Sequence, residues 1–336
     1  MKRKTLVFIG LLTLIISISI NNSNAQCCAA GGGSPIASDI SQSVLMLGQM
    51  EISANYQFVN STKFLTTTTT DVNYLDRFTS NYMYTKLAYG VTKELTISVE
   101  SGYWLDKTQI GLDAKDTINS SGIADFIVFP RLNLYNKNNT EITAGMGLKI
   151  PLGSYNDSIG YYEPFTQQTF YVSKPPALQA SSGSSDFIFS LFYARRFPAA
   201  QFRLFTNVMY IRKGWNPVGE KLGDYASISI FGGKTFFTKL NVLLHVKFEW
   251  INKMSINDDI RMYAGLNFDP EATGSKKIFV MPQLNYSILR NLNVFVLGEI
   301  PVYQYVNKTQ IASQLQITGG LSYRFALKKP VVVEKI

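Results

Sequence analysis

Apolar and polar residues alternate strictly in the segment QITGGLSYRF, residues 316–325, near the end of the chain. One face of this segment carries Leu315, Ile317, Gly319, Leu321, Tyr323 and Phe325, and the other carries Gln316, Thr318, Gly320, Ser322 and Arg324. This alternation predicts a β-strand, because successive side chains leave a strand on opposite faces. The same pattern occurs in residues 49–58, 94–104, 140–150 and 239–250. The chain is therefore predicted to be all-β.

The spacing of these segments predicts how the strands are arranged. Each segment is about ten residues long, the length that a tilted strand needs to cross a bilayer. Short turns are expected at residues 92–93, 136–139, 197–200, 237–239 and 289–291, and longer connections at residues 59–79, 105–121, 151–184, 212–223, 251–276 and 304–313. Short and long connections alternate along the chain, as they do in outer-membrane barrels.

The alternation of short turns and long connections predicts a transmembrane, antiparallel, up-and-down β-barrel in residues 49–325. Counting hairpins gives about 12 strands, with both termini on the side of the short turns. Residues 260–268 also alternate. They either extend a loop or belong to a further hairpin, which would raise the count to about 14 strands.

A secreted β-sandwich is the main alternative, because its strands alternate as well. The solvent face of a sandwich would be rich in Lys, Thr and Glu, whereas the polar faces here carry Gly, Ser, Thr, Asn, Gln and isolated charges. Trp104, Tyr210, Trp250 and Tyr303 lie near predicted strand ends beside the long connections, where an interfacial girdle of aromatic residues is expected. The pattern therefore favours the membrane barrel.

The N-terminus predicts export from the cytoplasm. The basic segment MKRK precedes the apolar stretch TLVFIGLLTLIISISI, and SNA offers small residues for cleavage after Ala25. A lipoprotein signal is the alternative because Cys27 and Cys28 follow, although Gln26 and Cys27 are poor residues to precede a lipidated cysteine. The predicted divisions are a signal peptide in residues 1–25, a flexible periplasmic segment in residues 26–48, the barrel in residues 49–325 and a periplasmic tail in residues 326–336. The expected location is the outer membrane of a Gram-negative cell.

Net charge and cysteine content limit the partners and cofactors that can be expected. The formal net charge is +9, and loss of Lys2, Arg3 and Lys4 with the signal peptide would leave +6. The basic residues are scattered, so nucleic acid, which requires a basic stripe, is not an expected partner. Cys27 and Cys28 would form a vicinal disulfide, pair with another chain or bind a soft metal such as Cu(I). No cofactor is expected, and these two cysteines are the weak metal candidates.

Several motifs in roughly the last two-thirds of the chain combine glycine, aromatic and turn residues. They are GIADFIVFPRLNLY (residues 122–135), GLKIPLGSYN (residues 147–156), SSGSSDFIF (residues 181–189) and EIPVYQYVNKTQIASQLQITGGLSYRF (residues 299–325). These motifs resemble the outer-membrane transporter family named for the meta-pathway of phenol degradation. The resemblance implies a small barrel that moves organic compounds across the outer membrane, and it implies no catalytic residues. The solute in the family's name is not carried over to this chain.

If the apolar faces contact lipid, the opposite faces line the lumen. The lumen-lining candidates are the acids Glu51, Glu94, Glu100, Asp125, Glu141, Asp186, Glu249 and Glu299, the bases Lys86, Arg131, Lys149, Arg196, Arg203, Lys247 and Arg324, and the single histidine His245. Acids and bases are nearly balanced, which argues against strong charge selection. These residues either pair across strands and brace the wall, or line a narrow aqueous path and orient polar solutes.

The longest predicted connection, residues 151–184, is rich in aromatic residues. They are Tyr155, Tyr161, Tyr162, Phe165, Phe170 and Tyr171, and Pro175 and Pro176 follow them. The loop either folds into the mouth of the barrel and offers an aromatic surface to a solute, or stays exposed with its aromatic residues packed on one another and on the rim.

Together these features predict a channel or transporter for the passive passage of small organic solutes. The alternative is a structural or copper-linked barrel whose lumen is sealed by paired charges. We do not expect an enzyme, because no G-x-S-x-G motif occurs and His245 lies in mid-strand, where a structural role is expected. The expected partners are outer-membrane lipid, a small-molecule solute and the barrel assembly machinery, which would recognise the aromatic-ended final strand at Phe325.

Overall fold

Twelve antiparallel strands form a closed barrel in the computed structural model, which describes residues 43–111, 117–257 and 269–327. The strands are β1 (Gln49–Ser61), β2 (Arg77–Gly90), β3 (Leu95–Ile110), β4 (Ile118–Lys137), β5 (Thr140–Ile150), β6 (Asp186–Phe197), β7 (Phe202–Arg212), β8 (Tyr225–Phe236), β9 (Leu240–Ile251), β10 (Ser275–Ser287), β11 (Leu292–Val306) and β12 (Gln316–Ala326). Each strand pairs with the next along the chain, and β1 pairs with β12 to close the ring. The prediction of an all-β, up-and-down barrel is confirmed.

The strand count is twelve rather than fourteen. Strand β9 pairs directly with β10, from Leu240 opposite Tyr286 to Ile251 opposite Ser275, so no hairpin is inserted between them. Several sequence predictions lie outside the described residues: the signal peptide, Cys27 and Cys28, the alternating segment at residues 260–268, and the tail from residue 328 onward.

Short turns connect the strands at one end of the barrel, which we call the turn side. They fall at residues 91–94, 138–139, 198–201, 237–239 and 288–291. Asn138 and Asn139 both have positive φ, 52° and 59°, as a two-residue hairpin turn of type I′ requires. Both ends of the described barrel also lie on this side, because the amide of Leu327 donates to the carbonyl of Gly48. The opposite end, with the long connections, is the loop side.

The outer wall of the barrel is apolar, as the alternation predicted. Large side chains such as Ile52, Met146, Leu244, Phe248 and Leu321 are exposed on it. Exposing this apolar belt to water is energetically unfavourable, whereas contact with the apolar acyl chains of lipid is not. Among the described residues, no helix has both the length and the apolar character needed to cross a bilayer.

The aromatic girdle at the loop side is formed by three of the four residues predicted for it. Tyr210, Trp250 and Tyr303 are exposed on the outer wall. Trp104 instead turns inward and stacks on Tyr82, with ring centroids 4.2 Å apart. Simple alternation accounts for this, because Trp104 shares the inner face of Thr96, Ser98 and Glu100. The register between β3 and β4 shifts after Trp104, and the residue that this β-bulge turns inward is Lys107.

Small elements cover the loop side of the barrel. They comprise a three-stranded sheet (Phe64–Thr66, Thr69–Asp71 and Thr309–Ile311), a hairpin (Ser158–Glu163 and Gln168–Ser173), a strand pair (Glu220–Lys221 and Ser255–Ile256) and two 3-10 helices (Pro176–Leu178 and Pro270–Ala272), while a third 3-10 helix (Pro198–Ala200) lies on the turn side. Phe64, Leu75, Phe78, Ile118 and Leu178 form a buried apolar cluster beneath these elements. The loop side is therefore a packed structure.

The inner wall carries more aromatic and aliphatic side chains than the alternation predicted. Phe129, Phe192, Phe231 and Met281 are all buried inside the ring. Phe129 lies flat over Gly145 and Gly147 of β5, where an added Cβ would come within 2.6 Å and 2.4 Å of its ring atoms. Much of the lumen is therefore filled by protein.

Candidate functional site

A cavity of about 320 Å³ lies inside the turn-side half of the barrel, and we call it the vestibule. Its lining residues come from β1, from β5 through β12 and from the segment before β1, which contributes Ser43. The side chains of Arg196 and Arg203 line it and are exposed, so the vestibule is open to solvent on the turn side. A cavity of this size is at the lower end of the range for small-molecule sites, about 300–1,000 Å³.

One wall of the vestibule is charged, and its charges are mostly paired. Glu51 of β1 is completely buried and forms ion pairs with Arg324 of β12 and with Lys86 of β2, the latter at 3.1 Å between Oε1 and Nζ. These contacts join the first and last strands of the barrel. Arg196 and Arg203 lie on the opposite side of the cavity, on β6 and β7.

The wall beside these two arginines is aromatic. Phe192 and Phe205 line the vestibule with ring centroids 6.0 Å apart. The stack continues across β8 and β9, because Phe205 lies 4.9 Å from Phe231 and Phe231 lies 4.4 Å from His245. Four neighbouring strands therefore present a continuous band of rings. The ring planes of Phe231 and His245 are within 8° of parallel.

A buried ion-pair cluster lies on the inner wall further toward the loop side. Lys247 of β9 donates to Glu299 of β11 at 2.6 Å, and its Nζ lies 3.6 Å from Glu249. Gln316 of β12 donates to the second carboxylate oxygen of Glu299 at 3.0 Å. Because each member has a polar partner, this cluster braces β9, β11 and β12 against one another.

A second buried cluster lies at the loop side of β5 and β6. Asp186 accepts from Lys149 at 2.9 Å and from Lys213 at 3.0 Å, and it also accepts from the amide of Gly214. Lys149 in addition pairs with Asp125. Lys213 belongs to the loop after β7, and burial holds the pKa of its ammonium group below the ordinary lysine value, an effect that Asp186 opposes.

Residues 176–184, which we call the cap, lie inside the loop-side mouth. Leu178 is fully buried. The indole of Trp104 donates to the carbonyl of Ala180 at 3.0 Å, and Lys107 donates to the carbonyl of Gln179 at 2.6 Å while lying 3.9 Å above the Trp104 ring.

The cap is also tied to the second ion-pair cluster. Ser181 donates to Asp125, and Lys149 donates to Ser182. Asn216, from the loop after β7, donates to the carbonyl of Ser182 at 3.3 Å. Burial raises the pKa of Glu220, which accepts from the same asparagine. The cap is therefore held by side chains from β3, β4, β5 and a neighbouring loop.

The structure places most of the predicted charged residues on the inner wall. Glu100, Arg131, Glu141, Lys149, Lys247, Glu249 and Glu299 are buried there, Asp125 is half-buried, Arg324 is half-buried beside Glu51, and Arg196 and Arg203 face the vestibule. Glu94 does not lie on the inner wall. It is exposed in the turn before β3, because the strand begins one residue later, at Leu95.

His245 lies on the inner wall in mid-strand and is buried. Its ring stacks on Phe231, and its Nε2 has no hydrogen-bond partner among the described residues. Neither a serine nor a carboxylate is hydrogen-bonded to this nitrogen, so the arrangement lacks the contacts that orient a catalytic histidine.

The aromatic residues of the longest loop are divided between two places. Tyr155 packs against the cap, where its ring would be 2.4 Å from a Cβ added to Gly183. Tyr161, Tyr162, Phe170 and Tyr171 belong to the hairpin and are exposed. The part of this loop that lies in the mouth is therefore the cap. The cap follows the hairpin in the chain and contains none of these four aromatic residues.

Sequence reasoning missed several residues that the structure brings together. Lys107 and Lys213 are anchors of the loop-side mouth, and Phe192, Phe205 and Phe231 form the aromatic band. The aromatic residues do have a sequence signal. In DFIFSLFYA of β6, apolar residues occupy both faces, which is typical of a strand that is buried on both sides.

The closed barrel, its apolar outer belt and its aromatic loop-side residues define the class of outer-membrane β-barrels. In the parts of the chain that the structure describes, no group of three or more His, Cys, Asp or Glu side chains is placed to hold a metal ion. No protein-family model matches the sequence. No curated protein matches it either.

Two proteins of known structure align with most of this chain. An outer membrane channel from Pseudomonas putida F1 aligns with a TM-score of 0.67 and 13% identity, covering 85% of this chain and 99% of that one. The β-domain of the Bordetella autotransporter BrkA aligns with a TM-score of 0.49 and 8% identity, covering 83% of this chain and 100% of that one. At 13% identity, the similarity to the P. putida channel is one of fold alone.

Proposed function

We propose that this chain is an outer-membrane channel for the passive passage of small organic solutes. The observation that carries the proposal is the vestibule, a solvent-open cavity of about 320 Å³ inside a closed twelve-stranded barrel. A barrel that served only as a rigid wall would have no need of an internal cavity with exposed charges. The fold shared with the P. putida channel supports the same function.

The proposed path runs from the vestibule to the loop-side mouth, where the cap lies across it. The cap is attached by individual hydrogen bonds from Trp104, Lys107 and Asn216 and by the side chains around Asp125. Each such bond contributes about 0.5–1.5 kcal/mol, or about 1.5–3 kcal/mol where a charged side chain such as Lys107 or Asp125 takes part. Displacement of the cap is therefore the step that would connect the two sides of the membrane.

Membership of the transporter family named for the meta-pathway of phenol degradation is part of this proposal. The motifs in residues 122–135 and 299–325 support it. Outer-membrane lipid around the apolar belt, export with cleavage after Ala25, and assembly through the aromatic-ended strand β12 belong to the same proposal.

The second candidate function is a structural barrel with a sealed lumen. It is favoured by the buried pairs between Lys247 and Glu299 and between Lys149 and Asp186, which fill the lumen with satisfied charges. A copper-linked form of this candidate depends on Cys27 and Cys28, which lie outside the described residues, and it stays a prediction.

Single-channel conductance in planar bilayers distinguishes a channel from a sealed barrel. We expect discrete current steps from the purified protein, and swelling of proteoliposomes in small organic solutes. Ser322→Trp would place an indole in the vestibule and reduce both signals. Its control is Leu321→Trp, which adds the same group to the outer wall. Currents indistinguishable from those of lipid alone would favour the sealed barrel.

A further inference from the structure

Two arginines face each other directly across neighbouring strands at the edge of the vestibule. Arg196 of β6 is the register partner of Arg203 of β7. Like charges in this position destabilise a sheet. Both side chains line the cavity. Without a ligand the two guanidinium groups repel each other. An anion between them would replace this repulsion with two charge-assisted hydrogen-bonding interactions.

The surrounding residues position one of these arginines and leave the other available. Arg203 donates to Thr235 Oγ1 and to Asn241 Oδ1, both at 2.9 Å, so its guanidinium is fixed against the wall. Within the described residues, the Arg196 side chain makes no hydrogen bond or ion pair. One fixed donor beside one movable donor suits capture of a ligand.

The acids of the vestibule do not neutralise this pair. Glu51 is held by Lys86 and Arg324. Glu141 is buried and accepts from Thr143 at 3.2 Å, and no basic nitrogen of the described residues lies within 4 Å of its carboxylate. Among the described residues, neither acid pairs with Arg196 or Arg203, and these two guanidinium groups outnumber the one carboxylate without a basic partner, Glu141, in the lining of the same cavity.

An apolar surface begins next to the arginine pair. Phe205 follows Arg203 by two residues on the same face of β7, about 7 Å along the strand. Its ring stacks on Phe192, which also lines the vestibule. A solute that extends its charged group to the arginines therefore lays its body against two rings.

We propose that the vestibule binds a small organic anion, with its carboxylate between Arg196 and Arg203 and an apolar or aromatic body against Phe192 and Phe205. This proposal rests on the proposed channel function and names the class of solute. The volume of about 320 Å³ admits one such molecule. Charge-assisted hydrogen bonds from the arginines would provide the affinity for the carboxylate. The rings of Phe192 and Phe205 would favour solutes whose remaining part is apolar or aromatic.

Calorimetric titration of the purified protein in detergent tests the site without requiring transport. The probes are benzoate, acetate, benzyl alcohol and inorganic phosphate. We expect benzoate to bind most tightly, acetate and phosphate more weakly because they lack the ring, and benzyl alcohol more weakly because it lacks the charge. Arg196→Gln should weaken benzoate at least about tenfold, since hydrogen bonds to charged groups are strong.

The same strand supplies a matched control. Arg195 is adjacent to Arg196 but lies on the outer face, with its guanidinium 5.5 Å from the Phe197 ring. Arg195→Gln removes the same charge from the same strand, and we expect it to leave benzoate binding unchanged. Arg203→Lys is a second variant, which keeps the charge but loses the forked geometry and should weaken benzoate severalfold.

The outcomes separate this inference from the channel function. If Arg196→Gln and Arg195→Gln bind benzoate equally well, or if benzyl alcohol matches benzoate, the anion site is wrong. If phosphate and acetate match benzoate, the aromatic part of the proposal is wrong. Benzoate binding that depends on Arg196 in a protein without conductance would retain the site and reject the channel. Conductance in a protein that shows no such benzoate binding would retain the channel and reject the anion site.

Discussion

The two ends of the lumen handle charge in opposite ways. At the loop side, Asp186 is completely buried and accepts hydrogen bonds from two lysines and a backbone amide. At the turn side, Arg196 and Arg203 are exposed, face each other with like charge, and have no carboxylate between them. The charges around Asp186 are therefore satisfied by protein. On the turn side Glu51 is paired with Lys86 and Arg324, whereas Arg196 and Arg203 are left for solvent or solute.

This difference divides the lumen-facing charges of one barrel into a paired group and an unpaired group. The hypothesis of bracing pairs describes the clusters around Asp186 and Lys247, where donors and acceptors are matched. The hypothesis of a charged path applies only to the vestibule. The numbers of lumen-facing acids and bases in the sequence are nearly equal. This overall count does not reveal the division, because it adds together residues that lie in separate parts of the lumen.

The largest effect is expected from Asp186→Asn. This substitution leaves Lys213 without a carboxylate and Lys149 with Asp125 alone, in a region with little solvent. Removing one partner from a buried ion pair destabilises a protein by about 3–5 kcal/mol. Urea unfolding of the protein in lipid vesicles, followed by tryptophan fluorescence, measures the loss.

An exposed ion pair of the loop side supplies the control for this experiment. Glu271 pairs with Lys253, and their side chains are 60% and 45% exposed. Glu271→Gln should leave the free energy of unfolding close to that of the native protein, because solvent screens such pairs. Equal losses in the two variants would contradict the distinction between buried and exposed charges on the loop side.

A smaller effect is expected from Lys107→Met, which tests whether the cap closes the mouth. The variant keeps the aliphatic stem over Trp104 and loses the hydrogen bond to the carbonyl of Gln179. A loss of about 1.5 kcal/mol, the lower end of the range for a charged donor, would raise the population with a displaced cap about tenfold. The open probability in planar bilayers measures this population.

Lys276→Met is the matched control for the cap experiment. Lys276 is exposed on β10 near the loop side and has no contact with the cap. We expect its open probability to equal that of the native protein. If Lys107→Met also leaves the open probability unchanged, the cap is not the closing element and the path lies elsewhere.

Much of the fold could be predicted from the sequence because its determinants are local. Alternation depends only on neighbouring residues, and it correctly assigned the outer wall of β1, β5, β9 and β12. Tight turns were equally local, as with the asparagine pair at residues 138–139.

The candidate site was less predictable because its determinants are not local. Lys107 turns inward only because a bulge follows Trp104, and no residue type beside it indicates that shift. Asp186 meets Lys149 and Lys213 only because β5, β6 and β7 are adjacent in the closed ring. The pairing of Arg196 with Arg203 likewise depends on the exact register of the hairpin, which alternation alone leaves open.

The smallest effect is expected from shortening the exposed aromatic hairpin. Gly160 and Tyr171 are register partners, so replacing residues 161–170 with an Asn-Gly turn preserves the base of the hairpin. The amide of Lys174 still donates to the carbonyl of Asp157 at 2.8 Å, and the cap keeps its anchors. We expect conductance and stability to match those of the native protein, the latter within about 0.5 kcal/mol, as for surface changes generally. A change in conductance as large as that of Lys107→Met would show that Tyr161, Tyr162 or Phe170 reaches the mouth, and the aromatic surface for a solute would then lie on the loop side rather than in the vestibule.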